Sequence, residues 1–224
     1  MTPRRIWVTR TEPGAEATAS RLEAIGLTAV VAPVLEARPI AGVELDLTSI
    51  DALAFSSGHA IAAFNDLSDE RALPVFTVGA ATASRAKAAG FTDVRSADGG
   101  ATALAELIAA AQPRPKLVLH PGAREPAADL VALLADRSVT VRATAVYETV
   151  PTDLAAPPRD IDAILIHSAR GAERVAALVA ARPHADISVF ALSKAAARPL
   201  HGLGFARVMA PPFPNEAALL DLLK

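Results

Sequence analysis

One unit of twenty residues occurs twice in this chain, and that repetition restricts the fold more than any other feature. "VFTVGAATASRAKAAGFTDV" runs from Val75 to Val94, and "VFALSKAAARPLHGLGFARV" runs from Val189 to Val208. Their opening Val, their Gly-Phe and their closing Val all stand 114 residues apart. Upstream, "DALAFSS" (51–57) matches "DAILIHS" (162–168) at an offset of 111, the difference falling in a loop. Downstream, "TALAELI" matches "EAALLDLL". Each half therefore reads as Asp, strand, Ser, helix, loop, strand, helix, Gly, strand, helix. "SRLEAIGLTAV" (20–30) also echoes "SRAKAAGFTDV" (84–94).

Short β-rich runs alternate with longer alanine-rich helical runs, the pattern of βα units and parallel sheets. Strands are predicted at 5–9, 27–33, 51–57, 74–79, 92–97, 116–120, 140–149, 162–168, 187–193 and 206–211. Pro13 suits the first turn of the first helix and Gly26 its C′ position. Further helices are expected from Gly58 to about Phe64, over 126–136 after a Pro121-Gly122 turn, from Ala169 to Ala181, and over 194–202. Proline clusters at 112–115 and 151–158 mark surface connections. A length of 224 residues accommodates two small domains. The fold class expected is α/β, with two similar parallel-sheet βα domains and a ligand cleft between them.

Composition narrows the chemistry. Lys+Arg number 22 against Asp+Glu 24, so no basic stripe advertises nucleic acid. There is no cysteine, which excludes disulfides, zinc thiolates and cysteine nucleophiles. The five histidines are scattered rather than paired at ligand spacing, and neither a GxGxxG nor a P-loop is present. The longest apolar run, Val175 to Ala181, is far short of the roughly 20 residues of a membrane span. "MTPRRIWVTR" carries charge with no apolar segment behind it, so no signal peptide is expected. A cytoplasmic, monomeric chain with no metal, no cofactor, no nucleic-acid partner and no membrane partner is the expectation.

A series of motifs then appears in order: "VTR" near the N-terminus, a D-x-x-x-F-x-S strand end, VG-x-x-TA, an A-x-x-x-L helix, VY-x-T, and a second D-x-I-x-x-x-S strand end. In that order they resemble the uroporphyrinogen-III synthase family, over nearly the whole chain. The resemblance implies two α/β domains joined by a two-stranded hinge. One domain would be contiguous, 41–142, and the other discontinuous, 1–33 plus 151–224. The hinge strands would lie at 34–40 and 143–150. The implied reaction is cofactor-free: hydroxymethylbilane, a linear tetrapyrrole, is cyclised with inversion of its last pyrrole ring and loss of water.

Such a substrate carries eight carboxylates, which helix N-termini can hold through bare N–H groups and the macrodipole. The strand ends at Ser56-Ser57-Gly58, at Gly79 with Thr82 one turn in, at Ser168 and at Ser193 are the candidates. Helix capping is the competing role for each. Arg10 directly follows a strand and is a further candidate, as is Gly122, although family members often carry Arg-Gly where this chain has Pro121-Gly122. Arg124 and Glu125, just beyond that turn, could line the cleft. Lys194 stands at the offset of Ala80, just after a strand end, in a copy that has lost Gly79 and Thr82. His120 and His167 also fall at strand ends. Tyr147 is the only tyrosine and lies in VY-x-T, so the resemblance implies a catalytic role for it, through a phenol that helps the substrate hydroxyl leave. A non-enzymatic two-domain anion- or small-ligand-binding protein is the alternative. A dinucleotide oxidoreductase is disfavoured, because no glycine fingerprint follows any strand.

Overall fold

The computed structural model describes residues 4–180 and 184–224. Its strands are β1 (Arg5–Val8), β2 (Thr28–Val31), β3 (Leu35–Pro39), β4 (Ala52–Phe55), β5 (Val75–Thr77), β6 (Val94–Ser96), β7 (Leu117–Ala123), β8 (Thr140–Pro151), β9 (Ala163–Ile166), β10 (Ser188–Ala191) and β11 (Arg207–Met209). Its helices are α1 (Gly14–Ala24), α2 (Gly58–Leu67), α3 (Ala80–Ala88), α4 (Ala101–Ala110), α5 (Leu130–Ala135), α6 (Ala169–Val179), α7 (Lys194–Ala197) and α8 (Glu216–Asp221). The chain divides into two compact units. Unit 1 runs up to Glu36 and resumes over Val150–Lys224, and unit 2 is Ala37–Thr149. The chain leaves unit 1 within β3 and returns within β8, and these two strands are hydrogen-bonded neighbours.

Unit 1 carries a sheet in the order β11-β10-β9-β1-β2, and the second sheet runs β3-β8-β7-β4-β5-β6. The first sheet, and the second from β8 to β6, are built from parallel pairs with helices on each face, which is why their central strands read as unbroken apolar runs. Strand β3 runs antiparallel to β8, with the Ile40 amide donating to the Val146 carbonyl and the Thr152 amide to that of Val34. All four residues of β4 and of β9 are buried. Alternation sorts the side chains by face. In β9 and β10, Ile164, Ile166, Val189 and Ala191 join the core beneath α6 and α7, while Ala163, Leu165 and Phe190 join that of α1 and α8. Unit 2 repeats this arrangement. Leu53, Phe55 and Val75 pack with α2 and α3, whereas Ala52, Ala54 and Phe76 pack with α4 and α5.

The repeat seen in the sequence is repeated register. Val75 pairs with Val94 across β5 and β6, and Val189 with Val208 across β10 and β11. Leu53 pairs with Val75, and Ile164 with Val189. On the other side Leu53 pairs with Leu119 of β7, and Ile164 with Trp7 of β1. The β1–α1–β2 segment of unit 1 is thus the counterpart of β7–α5–β8 in unit 2, so the two units are circularly permuted relative to each other. The echo between 20–30 and 84–94 does not mark equivalent places; both are helices closed by a glycine at positive φ, Gly26 (+78°) and Gly90 (+99°). The repeated aspartates have one job. Asp51 Oδ2 accepts from the amides of Lys116 and Leu117, and Asp162 Oδ2 from those of Arg4 and Arg5, so each pins the start of the neighbouring strand.

Three local expectations change. Pro121-Gly122 is not a turn, since β7 runs on to Ala123. The long β8 partners β7 that far, with a bulge between Gly122 and Ala123, while the ladder to β4 stops at Leu119, so a residue without an N–H is tolerated at 121. The helix expected over 126–136 begins only after Asp129, whose carboxylate caps the Ala132 amide. The helix expected over 194–202 stops at Ala197 and tightens into a 3₁₀ turn, Arg198–Leu200, around Pro199. The helix expected from Ala169 to Ala181 ends at Val179, with Ala180 as its C-cap, and residue 181 lies outside the described residues.

Candidate active site

The C-terminal ends of β4, β5 and β7 in unit 2, with β8 beside them, open onto a cavity of about 400 Å³. Its walls include Ser56, Ser57, Gly99, Gly100, His120 and Tyr147. Tyr147 is brought there by β8 and is only 8% exposed; its ring lies 5.7 Å from that of His59. Its hydroxyl makes no hydrogen bond to any described residue. Ser56 Oγ lies 3.2 Å from His120 Nε2. Burial pushes the His120 imidazole below its ordinary pKa, so it is neutral at pH 7. Burial and then the nearby Arg85 charge do the same to His59. Gly122 faces His120: a Cβ there would stand 3.4 Å from its Cε1.

Helix N-termini surround this edge. Ser57 caps α2 through the His59 amide at 3.2 Å. Gly58 is the bare first residue of α2, and the Arg85 side chain from α3 lies over it, so that a Cβ at 58 would sit 2.6 Å from Nη1. Arg85 has no carboxylate partner among the described residues. The N-caps of α3 and α4 are Gly79 and Gly100, neither of which offers a side chain to the first-turn amides. Gly79 is extended, and nothing lies within 4 Å of where its Cβ would be. Thr82, in the first turn of α3, is buried with no hydrogen-bond partner for its hydroxyl among the described residues. Arg124 and Glu148 pair with each other at 3.2 Å near the surface.

Unit 1 closes the equivalent ends with its own side chains. Ser168 Oγ accepts from the Gly171 amide at 3.1 Å, Ser193 Oγ from Ala196 at 3.2 Å, and Asn215 Oδ1 from Ala218 at 2.8 Å. Lys194 is exposed and has no partner among the described residues. Arg10 is engaged internally: Nη1 lies 3.2 Å from Glu216 Oε2 and 3.3 Å from Thr18 Oγ1. The same carboxylate meets His167 Nε2 at 3.0 Å and Thr18 Oγ1 at 2.6 Å, with Arg21 3.7 Å away. Burial alone would raise the Glu216 pKa. The hydrogen bonds from His167 and Thr18 and the charges of His167 and Arg10 overcome that and hold it at about 2. Unit 2 has Ala101 as the first residue of the equivalent helix, and there the cavity is open.

So the structure gathers Ser56, Ser57 and Tyr147 in the wall of one cavity; Gly58, Gly79 and Gly122 do not line it but each adjoins a lining residue in the chain, and Thr82 lies outside the lining. It places Arg10, Ser168, Ser193 and Lys194 at the corresponding edge of unit 1. Arg85 and Glu216 escaped the sequence reading. Arg85 looks like any surface arginine of an alanine-rich helix, and Glu216, an acid in a first helical turn, signals only a helix start.

The family model for uroporphyrinogen-III synthase HemD matches residues 16–221. The chain belongs to the uroporphyrinogen-III synthase family. Solved members of that name share its fold. The enzyme from Helicobacter pylori 26695 superposes with a TM-score of 0.68 at 17% identity, over 98% of this chain and 97% of that one. A mutant of the Thermus thermophilus enzyme gives 0.52 at 17% identity, over 97% and 96%. No curated relative matches the chain in sequence. As a uroporphyrinogen-III synthase family member it is placed among the enzymes of haem biosynthesis, which act on a tetrapyrrole. No helix among the described residues is long and apolar enough to cross a membrane, and no cluster of three or more potential metal ligands occurs among them.

Proposed function

We propose that this chain cyclises hydroxymethylbilane to uroporphyrinogen III, as a cofactor-free lyase, and that the C-terminal edge of unit 2 is where it holds the substrate. The observation that carries this reading is the asymmetry between the two repeats. Unit 1 satisfies its helix N-termini with Ser193 and Asn215, whereas unit 2 leaves those of α3 and α4 to Gly79 and Gly100. Bare first-turn amides, aided by the helix dipole, suit carboxylates. The Arg85 guanidinium at the start of α2, without a carboxylate partner among the described residues, adds a full positive charge. The loss of Gly79 and Thr82 from the second copy then follows, since a helix end already capped by its own serine has no need of an anion.

The remaining chemistry fits the cavity. The substrate hydroxyl must leave as water, and a phenol can donate the proton. Tyr147 places a hydroxyl with no protein partner among the described residues in the cavity wall. Positioning does the larger share, because the last ring must attack through its substituted carbon rather than its free one. The test is incubation with enzymatically generated hydroxymethylbilane, oxidation, and separation of the porphyrin isomers. Type III product in excess of the spontaneous type I isomer is expected. A non-enzymatic anion-binding protein would leave type I dominant.

A further inference from the structure

We propose that His120, held by Ser56, is the base that accepts the proton released when the macrocycle closes. The proposal rests on the synthase reading above and concerns the end of the reaction rather than its start. The first C–O bond breaks with its electron pair on oxygen, which takes a proton and leaves as water. The substituted carbon of the last ring bonds to the freed methylene, its old bond to the neighbouring bridge carbon breaks, and that bridge carbon is captured by the ring's other α-carbon. That carbon still carries its hydrogen, and the pyrrole regains aromaticity only when the C–H pair returns to the ring and the proton goes to a base. One proton is taken up at the start and one is released at the end, so no oxidant, reductant or metal is needed.

His120 fits this role in position and state. It lies near the end of β7 and lines the same cavity as Tyr147. The residue is 5% exposed, and the one hydrogen bond its ring makes among the described residues is to a serine hydroxyl rather than a carboxylate, so nothing among them favours the charged form. Gly122, two residues on, leaves the edge of the ring uncovered: any larger residue would put its Cβ 3.4 Å from Cε1 and 3.8 Å from Nδ1. Two other ionisable side chains line its cavity, Tyr147 from β8 and Glu125 from the loop after β7. Behind Tyr147 stands His59 of α2, with the Arg85 charge of α3 close to it. The cavity-lining residues of α4 and α5 carry none. Burial keeps the imidazole unprotonated at neutral pH, the form a base requires.

The experiment measures kcat for type III formation between pH 5 and 9 in the parent protein, His120→Gln and His120→Ala, with circular dichroism to verify folding. The parent profile is expected to fall on the acid side, below the ordinary imidazole range. Each substitution should lower kcat about 100-fold, with little change in KM, and remove the acid limb. Added imidazole should restore part of the rate in His120→Ala. A folded variant with kcat within about threefold of the parent overturns the proposal. If both substitutions unfold the protein, a parent profile without an acid limb overturns it equally. A parent protein that forms no type III isomer overturns the synthase reading itself, so the two failures are distinct.

Discussion

Glu216→Gln should loosen unit 1 and change its response to acid. The Glu216 carboxylate is one-fifth exposed and receives His167, Thr18 and Arg10. Its pKa falls from 4.5 to about 2. At about 1.4 kcal/mol per pKa unit that difference corresponds to roughly 3 kcal/mol. The partial exposure of Arg10 and Arg21 trims it towards 2. Because the folded pKa is depressed, the stabilisation is fully present above the unfolded value near 4.5 and is lost as pH falls towards 2. The glutamine variant also strands the His167 side chain, only 7% exposed, without its carboxylate. For a domain of roughly 100 residues, 2–3 kcal/mol is about a 10 °C drop in melting temperature. The assay is built into the chain. Trp7 is the sole tryptophan and is fully buried in β1, so its fluorescence reports unit 1 alone. Parent and variant should differ by that amount at pH 7, with the gap narrowing below pH 4.5 and nearly closed at pH 2. Equal midpoints at pH 7, or profiles that stay parallel down to pH 2, would refute the argument that this carboxylate holds the ends of unit 1 together.

Three further outcomes are expected. Gly79→Ser gives α3 the cap that Ser193 gives α7, so its melting temperature should hold or rise by a few degrees while KM for hydroxymethylbilane increases severalfold; an unchanged KM would remove the α3 amides from the binding site. Arg85→Ala should raise KM at low salt, with the gap narrowing as the Debye length shortens from about 30 Å at 0.01 M to about 8 Å at 0.15 M. A salt-independent effect would count against a direct ionic contact. Asp162→Asn keeps an acceptor but loses its charge. It should cost unit 1 about 0.5–1 kcal/mol above the ordinary aspartate pKa, screening included, and progressively less as pH falls below it and the depressed carboxylate is itself protonated. Trp7 fluorescence in urea checks this, and a loss that does not shrink with falling pH would mean that the charge is irrelevant.

Much of the fold was legible because strand and helix periods are local. The repeated Val-Phe, Gly-Phe and Val fall at matching registers, so the 114-residue offset was already a statement about paired strands. What escaped depends on partners distant in sequence. Pro121-Gly122 looks like a turn until β8 is seen to run beside it. The sequence could propose Ser57, Ser168 and Ser193 as ligands or as caps, and the structure shows all three capping their own helices. The bare ends at Gly79 and Gly100 became conspicuous only once the two units could be compared position by position. Arg10 was a plausible carboxylate ligand, and a carboxylate is what it meets, supplied by Glu216 from the other end of the chain.

The most direct measurement compares the isomers that the parent protein and Tyr147→Phe form from hydroxymethylbilane. Type III should predominate with the parent. The phenylalanine variant keeps the ring and its packing but loses the hydroxyl, and it should form type III with a lower kcat and a nearly unchanged KM, so that spontaneous type I accumulates beside it. Equal rates and equal isomer ratios for the two proteins would contradict the placing of the reaction at the Tyr147 cavity, and a parent yielding only type I would contradict the synthase function itself.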